Sequence, residues 1–251
     1  MKAMRCVVGI VAVLAFLVAG VPVQASKMDS RIESSAKKSY VFKTYLKGDD
    51  INIQSRDGAV TLTGSVSENY HKSLAQDTVS GLRGVKSVDN RLEVKGAPPA
   101  ANSDAWLHSK VKVTLLFHRS VSAGTTEVDV KDGIVTLRGD ASSQAQKELT
   151  TEYAKDVEGV KAVNNEMTVT RTSKKTRTMG DKIDDASITA QVKMTLLYHR
   201  STSALNTTVT TKRGVVTLGG KGSNAAELNL ATKLAYDVHG VKSVNNRMTI
   251  E

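Results

Sequence analysis

Cysteine is almost absent from this chain, and its scarcity excludes most thiol chemistry. The 251 residues contain one cysteine, Cys6, which lies in an apolar run near the N-terminus. If that run is removed on export, the mature chain has neither a disulfide nor a catalytic thiol, even in an oxidising compartment. We therefore expect packing alone to stabilise the protein.

An apolar run long enough for a lasting membrane anchor is also missing. Residues 6–20 are apolar, follow two basic residues and precede the sequence V-Q-A, which ends at Ala25. This order is typical of a secretory signal peptide, whereas an anchor usually needs about twenty apolar residues. The sequence predicts a signal peptide over residues 1–25, cleaved after Ala25, and a periplasmic location for the mature protein.

Motifs for catalysis and for metal binding are missing as well. The chain has no G-x-S-x-G sequence, and none of its five histidines are spaced as His-x-x-x-His. The stretch Gly219–Ser223 resembles a phosphate-binding loop, but its Lys221 precedes the last glycine instead of following it. We therefore predict no enzymatic activity, no metal site and no cofactor.

Positive charge is unevenly spread along the chain. The net charge is +10, and residues 172–251 carry 12 basic and 6 acidic groups, against 9 and 10 in residues 99–173. In an exported protein, such an excess points to anionic lipid or lipopolysaccharide rather than to nucleic acid. The alternative is a soluble protein that happens to be basic.

One sequence cassette organises the chain and occurs three times. It reads V-T-L-x-G, then a helix, then G-V-K-x-V-x-N, and it starts at Val60, Val135 and Val216. The opening valine and the closing asparagine are 30 residues apart in every copy, which indicates a tandem of one small domain. We expect domains at 31–96, 103–170 and 184–251, joined by a proline- and alanine-rich linker (97–102) and a basic polar linker (171–183).

Hydrophobic periodicity predicts the same elements in each copy, in the order α-β-β-α-β. Helical spacing of apolar residues precedes two alternating strands, which are joined by a tight turn such as Asp132-Gly133. The fold class is therefore α+β: three tandem two-layer sandwiches, each with a three-stranded mixed sheet and two helices on one face. Copy one departs from this plan, because its first helix is irregular. Only 11 residues separate Leu46 from Asp57, against 16 between Leu116 and Asp132.

Several polar and glycine positions recur in all copies and have structural explanations. Serines three residues after the cassette glycine are predicted N-caps, aspartates at the start of the first helix are predicted capping groups, and glycines are predicted to end the second helix. The cassette asparagine is expected to pair with backbone near the helix–strand corner, although a ligand role stays open. These positions are Ser67, Ser142 and Ser223; Asp104, Asp184 and Asp185; Gly64, Gly139 and Gly220; Gly84, Gly159 and Gly240; and Asn90, Asn165 and Asn246.

The closing motif G-V-x-x-V-x-N-x-[LM]-x-[VI], preceded by a V-T-L-x-G strand and a helix, resembles the BON domain family of bacterial envelope proteins. The resemblance covers residues 31–251. It implies a periplasmic or outer-membrane location, the absence of enzymatic activity, a role in osmotic stress and envelope integrity, and attachment to phospholipid.

The first helix of copies two and three is the predicted contact surface. It combines an interfacial aromatic residue with cations, and a second aromatic residue with cations follows at its end. The alternative is that Trp106 and Phe117 fold into their own core. The candidate lipid or anion contacts are Trp106, Lys110, Lys112, Arg119, Lys193, Arg200 and Lys221.

Three functional hypotheses follow. The first is a non-enzymatic periplasmic protein that attaches to anionic phospholipid or to the inner face of the outer membrane. The second is a protein-interaction or chaperone-like scaffold that binds other envelope proteins and ignores lipid. The third is binding of a small cation, such as potassium, by a single copy.

Overall fold

The computed structural model describes residues 23–96, 99–100, 103–121, 123–170, 182–202 and 206–251. Residues 1–22 of the predicted signal peptide lie outside this part of the chain, as do most residues of the two predicted linkers. Helix α1 begins at Val23, two residues before the predicted cleavage position. Among the described residues, no helix combines the length and apolar character that crossing a bilayer requires.

Each copy contains a helical region, a hairpin, a second helix and a third strand. Copy one comprises α1 (Val23–Lys38), α2 (Tyr40–Thr44), β1 (Asp50–Arg56), β2 (Ala59–Val66), α3 (Asn69–Ser80) and β3 (Ser87–Val94). Copy two comprises α4 (Asp104–Phe117), a 3-10 turn (Ala123–Thr125), β4 (Thr126–Lys131), β5 (Ile134–Ala141), α5 (Gln144–Lys155), β6 (Ala162–Asn165) and β7 (Thr168–Val169). Copy three comprises α6 (Asp185–Tyr198), β8 (Thr207–Lys212), β9 (Val215–Gly222), α7 (Ala225–Tyr236), β10 (Ser243–Asn246) and β11 (Thr249–Ile250).

The sheets confirm the predicted α+β fold class. In every copy the second strand of the hairpin is central: it pairs antiparallel with the strand before it and parallel with the strand after the second helix. The last strand is continuous in copy one, whereas it is split into two short segments in copies two and three. Both segments pair with the same central strand, so the order of strands across the sheet is the same in all three copies.

The hairpin turns confirm the prediction made from the sequence. Asp57, Asp132 and Arg213 each have φ of 54°, and the glycine that follows has φ between 80° and 83°. Two successive residues with positive φ are characteristic of the turn whose twist matches two adjacent antiparallel strands. The second position therefore favours glycine in all three copies.

The predicted N-caps of the second helix were wrong by one residue. Ser143 caps α5 and Asn224 caps α7, and the helix of copy one has no side-chain cap. The predicted serine lies one position earlier, outside the helix. In copy two the backbone N–H of Ser142 donates to Gln146 Oε1 at 2.8 Å, so a side chain from the first helical turn satisfies this position.

The cassette glycines at 84, 159 and 240 were predicted to end the second helix, but this prediction was wrong. The helix ends earlier, and its C-cap residue is Gly81, Asp156 or Asp237, three positions before the glycine. The glycine forms a separate left-handed turn, with φ between 86° and 94°. In copy two a Cβ on Gly159 would lie 2.8 Å from Leu107 Cδ2, so close approach of the first helix also requires glycine here.

The predicted capping role is confirmed for Asp184, whereas Asp104 and Asp185 have a different role. The N-caps are Ser103 for α4 and Asp184 for α6. Asp104 instead accepts hydrogen bonds from the hairpin turn, from the N–H groups of Asp132 at 2.7 Å and Gly133 at 2.8 Å. The same clamp recurs as Asp29 on Asp57 and Gly58, and as Asp185 on Arg213 and Gly214.

The helix–strand connection of copy one is shorter than that of copy two, as the sequence indicated, but by three residues instead of five. The prediction of five equated Leu46 with Leu116, whereas the aspartate clamp spans 28 residues in every copy. The copies differ in where the helix ends. Helix α2 extends the helical region of copy one, so residues 45–49 connect it to β1, whereas residues 118–125 connect α4 to β4.

The three copies pack through their helices, and the outer faces of their sheets are exposed. Helix α6 is central: 10 of its 14 residues are buried. It packs against α3 of copy one, α4 of copy two and its own α7. Ala190 and Met194 of α6 join the apolar core of copy one, which also receives Val113 and Phe117 from α4.

Candidate functional site

The predicted contact helices, α4 and α6, lie mostly in the interior of the assembly. Lys110 of α4 is 8% exposed, and its Nζ lies 3.5 Å from Glu158 Oε2. The same Nζ lies 3.7 Å from the ring centroid of Trp106 and 5.4 Å from that of Tyr198 in copy three. Burial lowers the pKa of Lys110, and Glu158 partly opposes this shift. Lys110 therefore contributes to the junction between copies two and three.

Arg119 and Arg200 belong to a reciprocal contact between copies two and three, which we call the clasp. The backbone N–H of Arg119 donates to Asp237 O at 2.9 Å, and that of Arg200 donates to Asp156 O at 2.8 Å. Isolated antiparallel bridges join His118 to Val238 and His199 to Val157. Each guanidinium also donates to the other copy: Arg119 to Val241 O, and Arg200 to Val157 O and Val160 O, all at 3.3 Å.

The two halves of the clasp carry unequal side-chain contacts. In one half, Asp237 accepts hydrogen bonds from His118 Nδ1 at 3.0 Å, from the Tyr153 hydroxyl at 2.7 Å and from Ser120 Oγ. Burial raises the pKa of Asp237, but these hydrogen bonds outweigh burial and hold the pKa below its usual value. The corresponding group in the other half, Asp156, lies 3.4 Å from His199 Nε2.

Copy one docks on this pair mainly through apolar contacts. Phe117 is fully buried in the core of copy one and meets Tyr45 edge-on, with ring centroids 5.3 Å apart. Phe117 therefore does not fold into the core of its own copy, whereas Trp106 packs against that core. Lys193, another candidate contact, pairs with Asp77 of copy one at 3.0 Å.

Two of the seven candidate contact residues have an exposed charge outside these junctions. Lys112 lies on α4, and Lys221 lies near the end of β9. Neither forms an ion pair with any residue in the described ranges. The structure thus separates the seven residues instead of gathering them on one surface.

A serine, a histidine and an aspartate meet in copy one, but their geometry is not that of a catalytic triad. Ser67 Oγ lies 3.2 Å from His71 Nδ1, and Asp49 contacts the same ring nitrogen. A triad uses the two ring nitrogens for different partners. Asp49 also accepts from the Ser67 N–H at 2.8 Å, so the cluster ties the loop before β1 to the start of α3. Within the described residues, no group of His, Cys, Asp and Glu could hold a metal ion.

The recurring asparagines confirm the structural prediction. Asn165 Nδ2 donates to Lys147 O at 2.8 Å and to Thr151 Oγ1 at 2.7 Å, while its Oδ1 accepts from Met167 N–H at 2.9 Å. Asn90 and Asn246 repeat the contacts to the helix carbonyl and to the strand. The asparagine therefore fastens the last strand to the second helix.

The cassette glycines at 64, 139 and 220 are required by the close approach of the hairpin. They have φ between 107° and 112°. At Gly64, a Cβ would overlap the carbonyl oxygen of Asp50. The corresponding carbonyls are those of Thr125 and Asn206 in copies two and three.

Sequence reasoning missed the clasp, although a signal was present. Copies two and three share L-L-[FY]-H-R-S at the end of the first helix and D-V-x-G-V after the second. Copy one has neither motif, and Gly81 stands where the others have an aspartate. A Cβ on Gly81 would lie 3.3 Å from Ala186 of α6, which packs there.

The fold and its junctions define a tandem-repeat protein whose three α+β domains pack through their helical faces. The BON domain family matches the chain at residues 28–96, 103–171 and 184–251. The chain belongs to the BON domain family.

Similarity to characterised proteins supports the same assignment. The chain is 32% identical to the osmotically-inducible protein Y of Escherichia coli over 143 residues, which cover 55% of this chain and 71% of that protein. It is 27% identical to the outer membrane lipoprotein DolP of Haemophilus influenzae over 146 residues, covering 57% and 74%. A solved structure of CdsD, a structural protein of the type III secretion system of Chlamydia trachomatis, aligns over 88% of this chain and 90% of its own with 16% identity, but the TM-score is 0.25 and supports no argument.

Proposed function

We propose that this is a non-enzymatic envelope protein that attaches reversibly to the surface of an anionic phospholipid membrane. Similarity to an osmotically inducible protein and to an outer membrane lipoprotein supports an envelope location and a role in osmotic stress. The predicted signal peptide is consistent with the same location. Attachment would require no insertion of a helix, since it acts through exposed charge.

One observation carries the proposal: copy three uses its carboxylates internally and exposes its cations. Residues 182–251 contain nine basic and five acidic residues. Four of the five carboxylates accept hydrogen bonds within the protein: Asp184, Asp185, Glu227 and Asp237.

The exposed cations of copy three are not neutralised in the same way. Five of them, which lie on the strands and turns of the sheet, lack an ion pair with any residue that the structure describes. Each surface-near lysine or arginine contributes about 1 kcal/mol of attraction to an anionic bilayer, so a few together give useful, reversible binding. These cations are Lys212, Arg213, Lys221, Lys242 and Arg247.

Co-sedimentation with vesicles tests the proposal. The purified protein should pellet with phosphatidylcholine vesicles that contain about 30% phosphatidylglycerol at about 50 mM salt, and should be released at about 500 mM salt because screening shortens the range of the attraction. Pure phosphatidylcholine vesicles are the control. Equal sedimentation with both vesicle types would reject lipid attachment and favour the scaffold hypothesis, which predicts a protein partner that survives high salt.

A further inference from the structure

Three of the exposed cations of copy three share one side of its sheet. Strand pairing places Lys212 opposite Val215, Thr210 opposite Thr217, and Thr249 opposite Lys221. Alternation along the strands places these residues on the side away from the helices, because Val216 and Leu218 on the other side are fully buried. Arg247, between β10 and β11, is exposed, and the next residue, Met248, is buried. We call this surface, formed by Lys212, Lys221 and Arg247 with Thr208, Thr210 and Thr217, the copy-three sheet face.

The copy-three sheet face has one acidic residue at its edge, Glu251 after β11, whereas the same face of copy two is rich in carboxylates. The positions equivalent to Thr208 and Thr210 are Glu127 and Asp129 in copy two. The position of Lys221 holds Asp140 in copy two. Three substitutions between copies with the same backbone therefore turn an acidic or neutral face into a basic one.

Arg247 differs in the same way from its counterparts. In copy two its position holds Glu166, which accepts a hydrogen bond from Arg138 Nε at 2.9 Å. In copy one it holds Arg91, which pairs with Asp89. In copy three Gly219 occupies the position of Arg138, and Asn245 occupies the position of Asp89. The guanidinium of Arg247 has no carboxylate partner among the described residues.

The shape of the face suits a flat, extended anion rather than a small one. The central strand β9 runs about 20 Å from Val215 to Lys221, and adjacent strands are about 4.8 Å apart. The cations lie at both ends of this strand, since Arg213 and Lys242 flank the hairpin turn beside Lys212. Between them lie threonine side chains, Asn245 and a glycine, so no aromatic or long apolar side chain projects from the centre.

We infer that the copy-three sheet face lies against the membrane, and that phosphate groups of anionic phospholipids are its partner. This inference rests on the proposed function and deepens it by naming the surface. The orientation directs copies one and two away from the bilayer, and it leaves the clasp and helices α4 and α6 closed during binding. No apolar side chain of the face needs to enter the hydrocarbon, so the attachment is electrostatic.

A pair of matched double variants tests the inference. K221Q/R247Q removes two cations from the copy-three sheet face, and K131Q/K161Q removes two exposed cations beside the hairpin turn of copy two, so both change the net charge equally. We expect about thirtyfold weaker binding to vesicles with about 30% phosphatidylglycerol for K221Q/R247Q. K131Q/K161Q should bind within about threefold of the unmodified protein, because its charges lie away from the membrane. Far-ultraviolet circular dichroism and urea unfolding establish that both variants are folded.

A gain-of-function variant gives the reverse test. D140K/E166R places the residues of copy three on copy two and should create a second binding face there, so that vesicle binding strengthens measurably. Equal weakening by both glutamine pairs would overturn the inference, because it would mean that overall charge and not one face determines binding. Unchanged binding of K221Q/R247Q would also overturn it while leaving lipid attachment intact, whereas failure of the unmodified protein to bind anionic vesicles would reject both. Competition by about 1 mM inorganic phosphate would assign the face to a soluble anion and reject the membrane as its partner.

Discussion

At the scale of single residues, short-range polar contacts organise each copy. The clamp aspartate joins the start of the first helix to the hairpin turn, which lies 28 residues further along the chain. A carboxylate that accepts two backbone N–H groups forms stronger hydrogen bonds than a neutral acceptor would. In copy one, hydrogen bonds from Ser55 and Gly58 hold the pKa of Asp29 below its usual value. The clamp of copy one thus favours the ionised carboxylate of Asp29.

The clasp histidine His199 makes the stability of the protein depend on pH. Its Nδ1 accepts from the Ser201 N–H at 3.1 Å, so the neutral ring carries its proton on Nε2, facing Asp156. Burial lowers the pKa of His199, Asp156 partly opposes this, and nearby His118 and Arg200 add to the lowering. A folded-state pKa below the unfolded value of about 6.5 means that the stabilisation is present above that pH and is lost as the pH falls through the folded-state pKa.

We therefore expect the urea midpoint to fall between about pH 7.5 and pH 5.5. His199→Gln, which does not titrate, should show a smaller fall. His108→Gln, on helix α4 and outside the clasp, is the control, and its urea midpoint should fall as much as that of the unmodified protein. If His199→Gln and the unmodified protein respond identically to pH, the assignment to His199 is wrong.

At the scale of secondary-structure elements, the first helices of copies two and three do not behave as surface helices. Helix α6 has buried residues on all sides because three other helices pack on it. Its apolar pattern is therefore broader than the stripe of an ordinary amphipathic helix. The cations at the ends of α4 and α6 serve contacts between copies instead of facing a membrane.

Phe117, the last residue of α4, provides a test of this packing. Phe117→Ala should lower the free energy of unfolding by about 3–5 kcal/mol, because it leaves a cavity in the core of copy one. Leu197→Ala removes an apolar side chain from the corresponding end of α6, where 45% of the residue is exposed, and should cost less than about 1 kcal/mol. Urea unfolding measures both. Similar losses for the two variants would show that α4 does not anchor copy one.

At the scale of the whole molecule, the clasp joins copies two and three by two equivalent sets of contacts. In each set, the end of the first helix of one copy contacts the end of the second helix of the other copy. The backbone bridges are present in both halves, whereas the strong side-chain network is present only around Asp237. Copy one lacks the clasp motif and is held by apolar packing and by Asp184 and Ser187 of α6, which accept from the N–H groups of Tyr40 and Val41. The three copies therefore have two kinds of junction.

This asymmetry predicts different effects of two equivalent substitutions. Asp237→Ala should lower the free energy of unfolding by about 3 kcal/mol, since it leaves His118 and Tyr153 without their acceptor in a buried junction. Asp156→Ala removes the corresponding carboxylate, whose side chain is 43% exposed, and should cost about 1 kcal/mol or less. Chemical denaturation of both variants measures the difference. Equal effects would contradict the unequal halves of the clasp.

The candidate lipid contacts were the least successful part of the sequence reasoning. Trp106, Lys110, Arg119, Lys193 and Arg200 suggested an interfacial helix because an aromatic residue beside cations has the same pattern on a membrane surface and at a junction between domains. The sequence contains no information on which partner covers that helix. Lys221 was named from a glycine-rich turn, and only strand pairing placed it beside Thr249 and on the side of Lys212.

Local information was enough to determine the fold of each copy. Alternating apolar residues define the strands, Asp-Gly and Arg-Gly pairs define the turns, and a cassette of constant length defines the repeat, because these depend on contacts within about 30 residues. The arrangement of the copies, the clasp, the burial of α6 and the grouping of five cations beside one sheet were decided by tertiary structure. They depend on side chains that are distant in sequence, and a carboxylate or a lysine shows its role only once its neighbours in space are known.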